Sequence, residues 1–323
     1  MSGGVDSSTA ALLLKRKGYH VEGLFLDFFN DKKSVREVKK ISSKIGIPLE
    51  SVNVSEEFKK KIIKYFLEEL KKGNTPNPCV VCNEEIKFKI LLKKMLLLKA
   101  DCVATGHYAQ ITKNRLFEAK DRNKDQSYFL YRLSQNQIAK ILFPLGDYTK
   151  VEIRKIAKKF GLPAHDRKES QDICFIPKKG YENFLAKMLS LKKGLIKDQN
   201  GKVLGKHDGL PLYTIGQRKG IKIGGNGPYY VIKKDYKKNT LFVGSERELY
   251  SQKLRLKSIN WIIGEPKFPF RTLLRTRYRN PLVYAIINKD EVKFEKPQRA
   301  IAPGQSAVFY SEKGEVIGGG VIV

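Results

Sequence analysis

Apolar residues in the first 145 positions alternate between two spacings. Residues 20–28 and 49–54 are short runs rich in β-branched and large apolar side chains, as expected of strands covered on both faces. Elsewhere the apolar positions recur every three or four residues. Residues 34–45 have this helical spacing and stop at Gly46. Ser55 is placed to cap a long amphipathic helix carrying Phe58, Ile62, Phe66 and Leu70, which ends before Gly73. A proline-rich loop over 75–82 leads into a further helix with Ile86, Ile90, Leu91 and Met95, and 102–105 reads as a short buried strand closing on Gly106. Strand and helix alternating at these intervals predict a parallel sheet with helices on both faces.

The pattern then changes twice. Residues 151–160 form a predicted helix with Thr149 and Glu152 as its capping box, followed by a long loop over 161–179. From about Gly194 glycines become frequent, with turns at 198–201 and 224–227, and the intervening segments are short and alternating. Residues 229–233 and 240–243 read as a hairpin joined across 234–239. The segment from Leu254 onward keeps strand spacing with no helical period, so the last 130 residues or so predict one or two small β-barrels. The expected organisation is an α/β domain over 1–190, with a helical part over about 134–190, then a β domain over 191–250 and a β-barrel over 251–323.

Composition narrows the function classes. The 323 residues are 41% hydrophobic and carry 63 Lys and Arg against 33 Asp and Glu, a formal charge of +30. Self-repulsion of that size makes most sense beside a polyanion such as nucleic acid, although a lysine-rich composition alone gives the same total. Four cysteines, Cys79, Cys82, Cys102 and Cys174, are too few for a disulfide scaffold at this length and point to a reducing compartment. No apolar run approaches a membrane span, and a glycine-rich loop occupies the place where a signal peptide would begin. The expected compartment is the cytoplasm, or an organelle if a longer precursor exists.

Two motifs carry chemistry. The opening string Ser2-Gly3-Gly4-Val5-Asp6-Ser7-Ser8 runs into an apolar helix over 9–17. Its glycines permit close backbone approach, and a helix N-terminus offers free N–H groups to a phosphate. With no Lys after the glycines it differs from the GxxxxGK[ST] loop and suits enzymes that release pyrophosphate by adenylating a substrate. Such a loop normally follows a buried strand, and none precedes it here, so the sheet is expected to lack its first strand or the natural chain to be longer. The second motif is Cys79-Val-Val-Cys82 after Thr75-Pro-Asn-Pro78, beside a predicted helix start that would lower thiol pKa. Taken alone it admits a redox pair, half of a metal site or coincidence. Cys102, among apolar neighbours, reads as core. Cys174 lies in the long loop with an apolar anchor, Phe175, after it.

Taken together, the ordered strings SGGVDSS (2–8), TPNPCVVCNEEIKF (75–88), ATGHY (104–108), KDQSYFLY (124–131), ESQDICFIP (169–177), TIGQRKG (214–220), TRYR (276–279) and PGQSAVFY (303–310) resemble the tRNA-specific 2-thiouridylase family. The resemblance implies an adenine-nucleotide hydrolase-like catalytic domain followed by two β-rich modules, and ATP-dependent 2-thiolation of the wobble uridine of tRNA. It implies that residues Ser2 to Ser8, with Leu26 and Gly106, bind ATP with Mg2+; the family often has Met where Leu26 stands. Asn77, Pro78 and Cys79 would face the target base. His107, Lys124, Asp125, Gln126, Arg277, Tyr278 and Gln305 match positions that touch tRNA. Cys174 would carry a persulfide supplied by a cysteine desulfurase or sulfur-relay protein, and Cys82 would resolve it to a disulfide.

The chain departs from the family at Cys79, where many members have Asp, and the region 29–36 is shorter than usual. With Cys there, an alternative is a [4Fe–4S] cluster held by Cys79, Cys82 and Cys174. Less favoured rivals are an ATP pyrophosphatase acting on a small metabolite, which would not need the charge, the thiols or the β-rich tail, and an inactive tRNA-binding protein.

Overall fold

The computed structural model describes residues 1–163, 173–177, 180–221, 223–224 and 227–323. Residues 169–172 of the Cys174 motif and 225–226 of the expected turn over 224–227 lie outside them.

The N-terminal part is built on parallel pairs. Strand β1 (Gly23–Asp27) pairs in parallel with β2 (Leu49–Asn53), Gly23 opposite Leu49 and Asp27 opposite Asn53. Short strands β3 (Val103–Ala104) and β6 (Ile141–Leu142) form a second parallel pair, and β4 (Gln110–Thr112) with β5 (Arg115–Phe117) forms a hairpin between them. Helix α1 (Val5–Arg16) packs on α2 (Lys32–Ile45) and on the helix Lys150–Lys159 through Ala10, Ala11, Leu12, Ile41, Ile45, Ile153 and Ala157. The caps explain the boundaries. Asp31 accepts from the N–H groups of Lys33 and Ser34 at the start of α2, and Gly46 ends it in the left-handed region at φ 71°. Thr149 and Glu152 form the expected capping box.

Two long helices differ from their expected starts. The helix over 55–71 begins with Ser55 as its first residue, and Val54 occupies the cap position without a side-chain bond. The helix over 78–97 begins four residues before Cys82: Asn77 accepts from the Cys79 N–H and Pro78 takes the first position, so both thiols stand inside the helix, not on a loop before it. Residues Asn83–Phe88 of this helix are π-helical, as are Lys59–Ile63 of the other. Such stretches insert an extra residue per turn and shift the faces that follow.

The expected barrels resolve into one open sheet and one closed barrel. Strands β7 (Gly194–Lys197), β8 (Val203–His207), β9 (Tyr230–Asp235) and β10 (Thr240–Gly244) form a sheet of order β8-β7-β10-β9, with β9 and β10 as the predicted hairpin, over a core of Ile196, Val231, Leu241 and Val243. Strands β11 (Tyr250–Trp261), β12 (Phe270–Arg275), β13 (Val283–Asn288), β14 (Glu291–Arg299), β15 (Ser306–Tyr310) and β16 (Val316–Ile322) close a barrel in the order β11-β14-β13-β12-β15-β16. Closure removes the exposed edges an open sheet would leave.

The barrel packs directly on the N-terminal part. Val80, Phe88, Tyr128 and Tyr131 share one hydrophobic cluster with Val308, Tyr310 and Val316. Buried polar groups cross the same boundary: Tyr128 Oη donates to the Ser306 carbonyl at 2.8 Å, and Asn260 Nδ2 to the Tyr131 carbonyl at 2.7 Å. No helix among the described residues is long and apolar enough to cross a membrane.

Candidate active site

The opening string folds as a tight turn into α1. Gly3 takes φ 75°, a left-handed conformation that favours glycine, and Gly4 is the N-cap with no side chain capping the first N–H groups. The serine hydroxyls are turned inward: Ser8 Oγ donates to the Gly4 carbonyl at 2.9 Å, and Ser7 Oγ accepts from the Ser2 N–H at 2.9 Å. Two distant segments hold this turn. Gly106 lies so close that a Cβ there would stand 2.7 Å from the Ser7 nitrogen and 2.8 Å from the Asp6 carbonyl carbon. Asp6 accepts from Tyr108 Oη at 2.8 Å and from Lys150 Nζ at 2.6 and 2.8 Å, and Lys150 is only 8% exposed. Leu26, buried in β1, sits in the cluster that also holds Cys82. Lys150 and Tyr108 carry no role in the sequence reading; their partner lies 144 and 102 residues away.

The second half of the site gathers on the helix over 78–97. Cys82 is buried among Leu26, Phe58, Val81 and Ile86, while Cys79 is half-buried and Cys174 exposed. Phe175, next to Cys174, packs onto this same cluster, its ring centroid 5.8 Å from Phe58 and 5.4 Å from Phe66. The apolar anchor expected from sequence is therefore inserted between two helical aromatics, and it carries Cys174 toward the other thiols. Cys174 lies near enough to Cys79 and Cys82 for its charge to act on both, and the Lys87 ammonium acts on all three.

The expected lowering of thiol pKa is corrected. Burial outweighs Lys87 and pushes the Cys79 and Cys82 thiols up, Cys82 from the usual 9.0 to about 12. The helix start that was to activate Cys82 is also occupied by the Asn77 cap. A raised pKa keeps the Cys82 proton in the folded protein after the unfolded chain has lost it. Stability is therefore full below pH 9 and falls as pH rises toward 12, by about 4 kcal/mol when complete. Thermal unfolding under reducing conditions is expected to show this alkaline decline, and Cys82→Ser to flatten it. An equal slope in both proteins would contradict a buried thiol. Cys102 also differs from expectation: it precedes β3 and is half-buried, not core.

The residues matched to tRNA contacts divide into two groups. Arg277 is exposed, and the Tyr278 ring packs 4.5 Å from Phe129 at a tilt of 50°, against the segment that carries Lys124 and Gln126. Asp125 does not face solvent. It is 2% exposed, accepts from the N–H groups of Ala119 and Ser127 and from Ser127 Oγ at 2.8 Å, and so organises the loop from inside. Gln126 Oε1 accepts from the Tyr108 N–H at 3.0 Å. His107 lies between Phe88 and Phe143, with Nδ1 2.7 Å from Thr105 Oγ1, and burial brings its pKa to about 3, leaving a neutral ring. Gln305, 8% exposed, donates to the Thr75 carbonyl at 2.7 Å. These placements share one cause: each side chain satisfies a polar group inside the fold.

No three His, Cys, Asp or Glu side chains among the described residues gather as a metal site. Asp6, the acidic residue of the loop, has its carboxylate engaged by Lys150 and Tyr108, and no magnesium ligand is assigned.

Comparison with known proteins agrees along the full chain. Residues 1–178 match the family model described as tRNA methyl transferase HUP domain, 182–245 the tRNA methyl transferase PRC-barrel domain, and 251–322 the aminomethyltransferase beta-barrel domain. The chain is 45% identical to the tRNA-specific 2-thiouridylase MnmA of Halothermothrix orenii, over 100% of this chain and 97% of that one. It is 46% identical to the protein of the same name from Legionella pneumophila (100% and 96% covered) and 43% to that of Geobacillus thermodenitrificans (100% and 93%).

Proposed function

The chain belongs to the tRNA-specific 2-thiouridylase family, and from that premise we propose that it activates the C2 carbonyl of a tRNA uridine with ATP and replaces its oxygen with sulfur carried on Cys174. The observation that carries the reading is the seating of Phe175 in the cluster that holds Cys82 and Leu26, which brings the Cys174 segment to the CxxC helix and to the strand nearest the opening loop. Two thiols 92 positions apart in sequence are what a sulfur relay needs side by side.

Each step assigns work to a named group. The uncapped N–H groups at the start of α1 receive the triphosphate, and Gly106 lets the loop close. Uracil O2 attacks the α-phosphorus and pyrophosphate leaves, which turns a poor leaving oxygen into AMP. The outer sulfur of a Cys174 persulfide then attacks C2 and AMP departs with the oxygen. Cys82, as thiolate, attacks the inner sulfur of Cys174; the S–S bond breaks toward the uridine, which keeps the sulfur, and a Cys82–Cys174 disulfide remains for an external thiol to reduce. The Lys87 charge acts on all three thiols and favours the thiolate that this last step needs. Asn77, Pro78 and Cys79 border the place of the base, and Arg277, Tyr278 and Lys124 offer the tRNA two cations and an aromatic ring. The charge of +30 fits a tRNA substrate and not a small metabolite.

The test is ATP–pyrophosphate exchange with and without tRNA. Exchange that depends on tRNA, together with 2-thiouridine in digested product, is expected; exchange without tRNA would point to a metabolite synthetase. Asp6→Asn should lower exchange about 100-fold, because a loop misplaced by an ångström loses that order of rate, and should leave tRNA affinity unchanged. It should also destabilise the fold by about 1–3 kcal/mol, since buried Lys150 loses its counter-charge while Asp6 itself is partly solvated. Unchanged exchange in that variant would remove Asp6 from the activation step.

A further inference from the structure

We propose that Glu118 and Arg275 are positioning residues: their buried ion pair holds the loop with Lys124, Asp125 and Gln126 and the loop with Arg277 and Tyr278 at one fixed spacing, the spacing at which both meet tRNA. The consequence for binding rests on the proposed tRNA reading, and the placement rests on geometry alone.

The pair stands at the root of both loops. Glu118 follows β5, and Arg275 is the last residue of β12. Glu118 Oε1 accepts from Arg275 Nη2 at 2.5 Å, with the two side chains 6% and 11% exposed. The other carboxylate oxygen accepts from Arg122, so one carboxylate joins a barrel strand to a residue of its own loop. The Ala119 N–H returns to Asp125 Oδ1 at 2.9 Å, which closes that loop on itself, and Lys124 and Gln126 flank the closure. On the barrel side, only Thr276 separates Arg275 from Arg277 and Tyr278. The two loops are thus tied twice, by charge at the root and further out by the Tyr278 ring against Phe129.

The surroundings of the pair show what it adds. The Arg275 guanidinium lies over the Tyr310 ring at 4.9 Å, and the Glu118 N–H donates to the Gly314 carbonyl at 2.9 Å, in the turn between β15 and β16. Gly314 takes φ 80°, and a Cβ there would stand 2.9 Å from Glu118 Oε2 and 3.2 Å from Arg122 Nη1, so the turn already touches both side chains. Arg275 Nε is buried with no partner among the described residues, so the desolvation of the pair is incompletely offset. Apolar side chains of similar volume would stabilise this boundary at least as well. They can slide past one another, whereas directed bonds between a guanidinium and a carboxylate fix distance and angle. The pair supplies register.

The experiment measures tRNA affinity at fixed salt and the single-turnover thiolation rate at saturating tRNA for Glu118→Gln, Arg275→Met, their double variant and Arg275→Lys. Glu315→Gln is the control, since Glu315 pairs with Arg115 at 3.2 Å on the same boundary but outside both loops. Removing an anion strengthens binding to a polyanion if charge alone counts, so the sign decides. Glu118→Gln should instead weaken binding about 3- to 10-fold and Arg275→Met about 10- to 30-fold, with the double variant no weaker than Arg275→Met, because one interaction is lost once. Arg275→Lys should recover most of the affinity. Glu315→Gln should stay within about twofold of wild type, and the rate at saturation should change less than about threefold throughout. Without tRNA, amide hydrogen exchange over 119–127 and 276–280 should quicken in Glu118→Gln while β13 and β14 keep their protection. Binding by Glu118→Gln as tight as wild type or tighter, or unaltered exchange over both loops, overturns the positioning role. If wild type itself binds no tRNA the substrate reading fails, and the exchange data still decide the tie. If Arg275→Met does not fold, Glu118→Gln supplies both measurements.

Discussion

A Cys174→Ser protein is expected to form no 2-thiouridine above background, a loss of at least about 10,000-fold, while binding tRNA within about twofold of wild type. The substitution changes one atom on an exposed side chain, so packing is not at stake. The anchor that seats this segment is Phe175, between Phe58 and Phe66, and it is untouched. What is lost is a sulfur able to carry a second sulfur, which a hydroxyl cannot replace. Nucleoside mass spectrometry of tRNA from single-turnover reactions reads the result directly, and filter binding reads the affinity. Thiolated product from the variant would refute the carrier role. Pyrophosphate release should persist in it, because activation precedes sulfur transfer.

Gly106→Ala should have the next largest effect, and its sign follows from competing terms. Replacing glycine by alanine at an ordinary φ stabilises by about 0.4–1 kcal/mol through the unfolded chain. Here the new methyl would meet the Ser7 nitrogen at 2.7 Å, the Asp6 carbonyl carbon at 2.8 Å and Ser7 Cα at 3.0 Å, all main-chain atoms. Main chain cannot swing aside as a side chain can, so overpacking of about 1–3 kcal/mol wins. The relief available is to push the start of α1 away from residue 106, which also strains the bonds of Asp6 to Tyr108 and Lys150. Pyrophosphate release should fall about 100-fold with a lowered melting temperature. A variant with wild-type release and stability would show that the loop and residue 106 do not meet.

Several of these relations were legible in sequence and several were not. The α2 boundary at Gly46, the Thr149–Glu152 capping box and the β9–β10 hairpin follow from local rules that nothing in the fold overrides. The phosphate-loop signature and the thiol pattern were visible because such chemistry tolerates few residue types. The start of the helix at Pro78 was also written locally, in Asn77-Pro78, but the run of prolines reads as loop until that pair is recognised as a cap and first turn. The internal partners of Asp125 and Gln305 were hidden for a different reason. A polar residue in a functional string looks like a contact, and only the fold reveals that its donors or acceptors are spent inside. The Asp6–Lys150 pair and the Gln305–Thr75 bond bridge 144 and 230 residues, a span over which no periodicity carries information.

The π-helical stretch at Asn83–Phe88 ties the length of its helix to the reaction. An α-helix turns about 100° per residue, so Lys87 would stand about 80° around the axis from Cys79 if the helix were regular. A π turn takes about 4.4 residues, which brings Lys87 back to nearly the same bearing as Cys79. A regular α-helix would reach that bearing with one residue fewer, since seven positions turn about 700°, within about 20° of two full turns, so the π stretch absorbs one extra residue without turning the ammonium away. The wide turn thus keeps Lys87 and Cys79 on one side of a helix that carries a residue more than regular winding would allow.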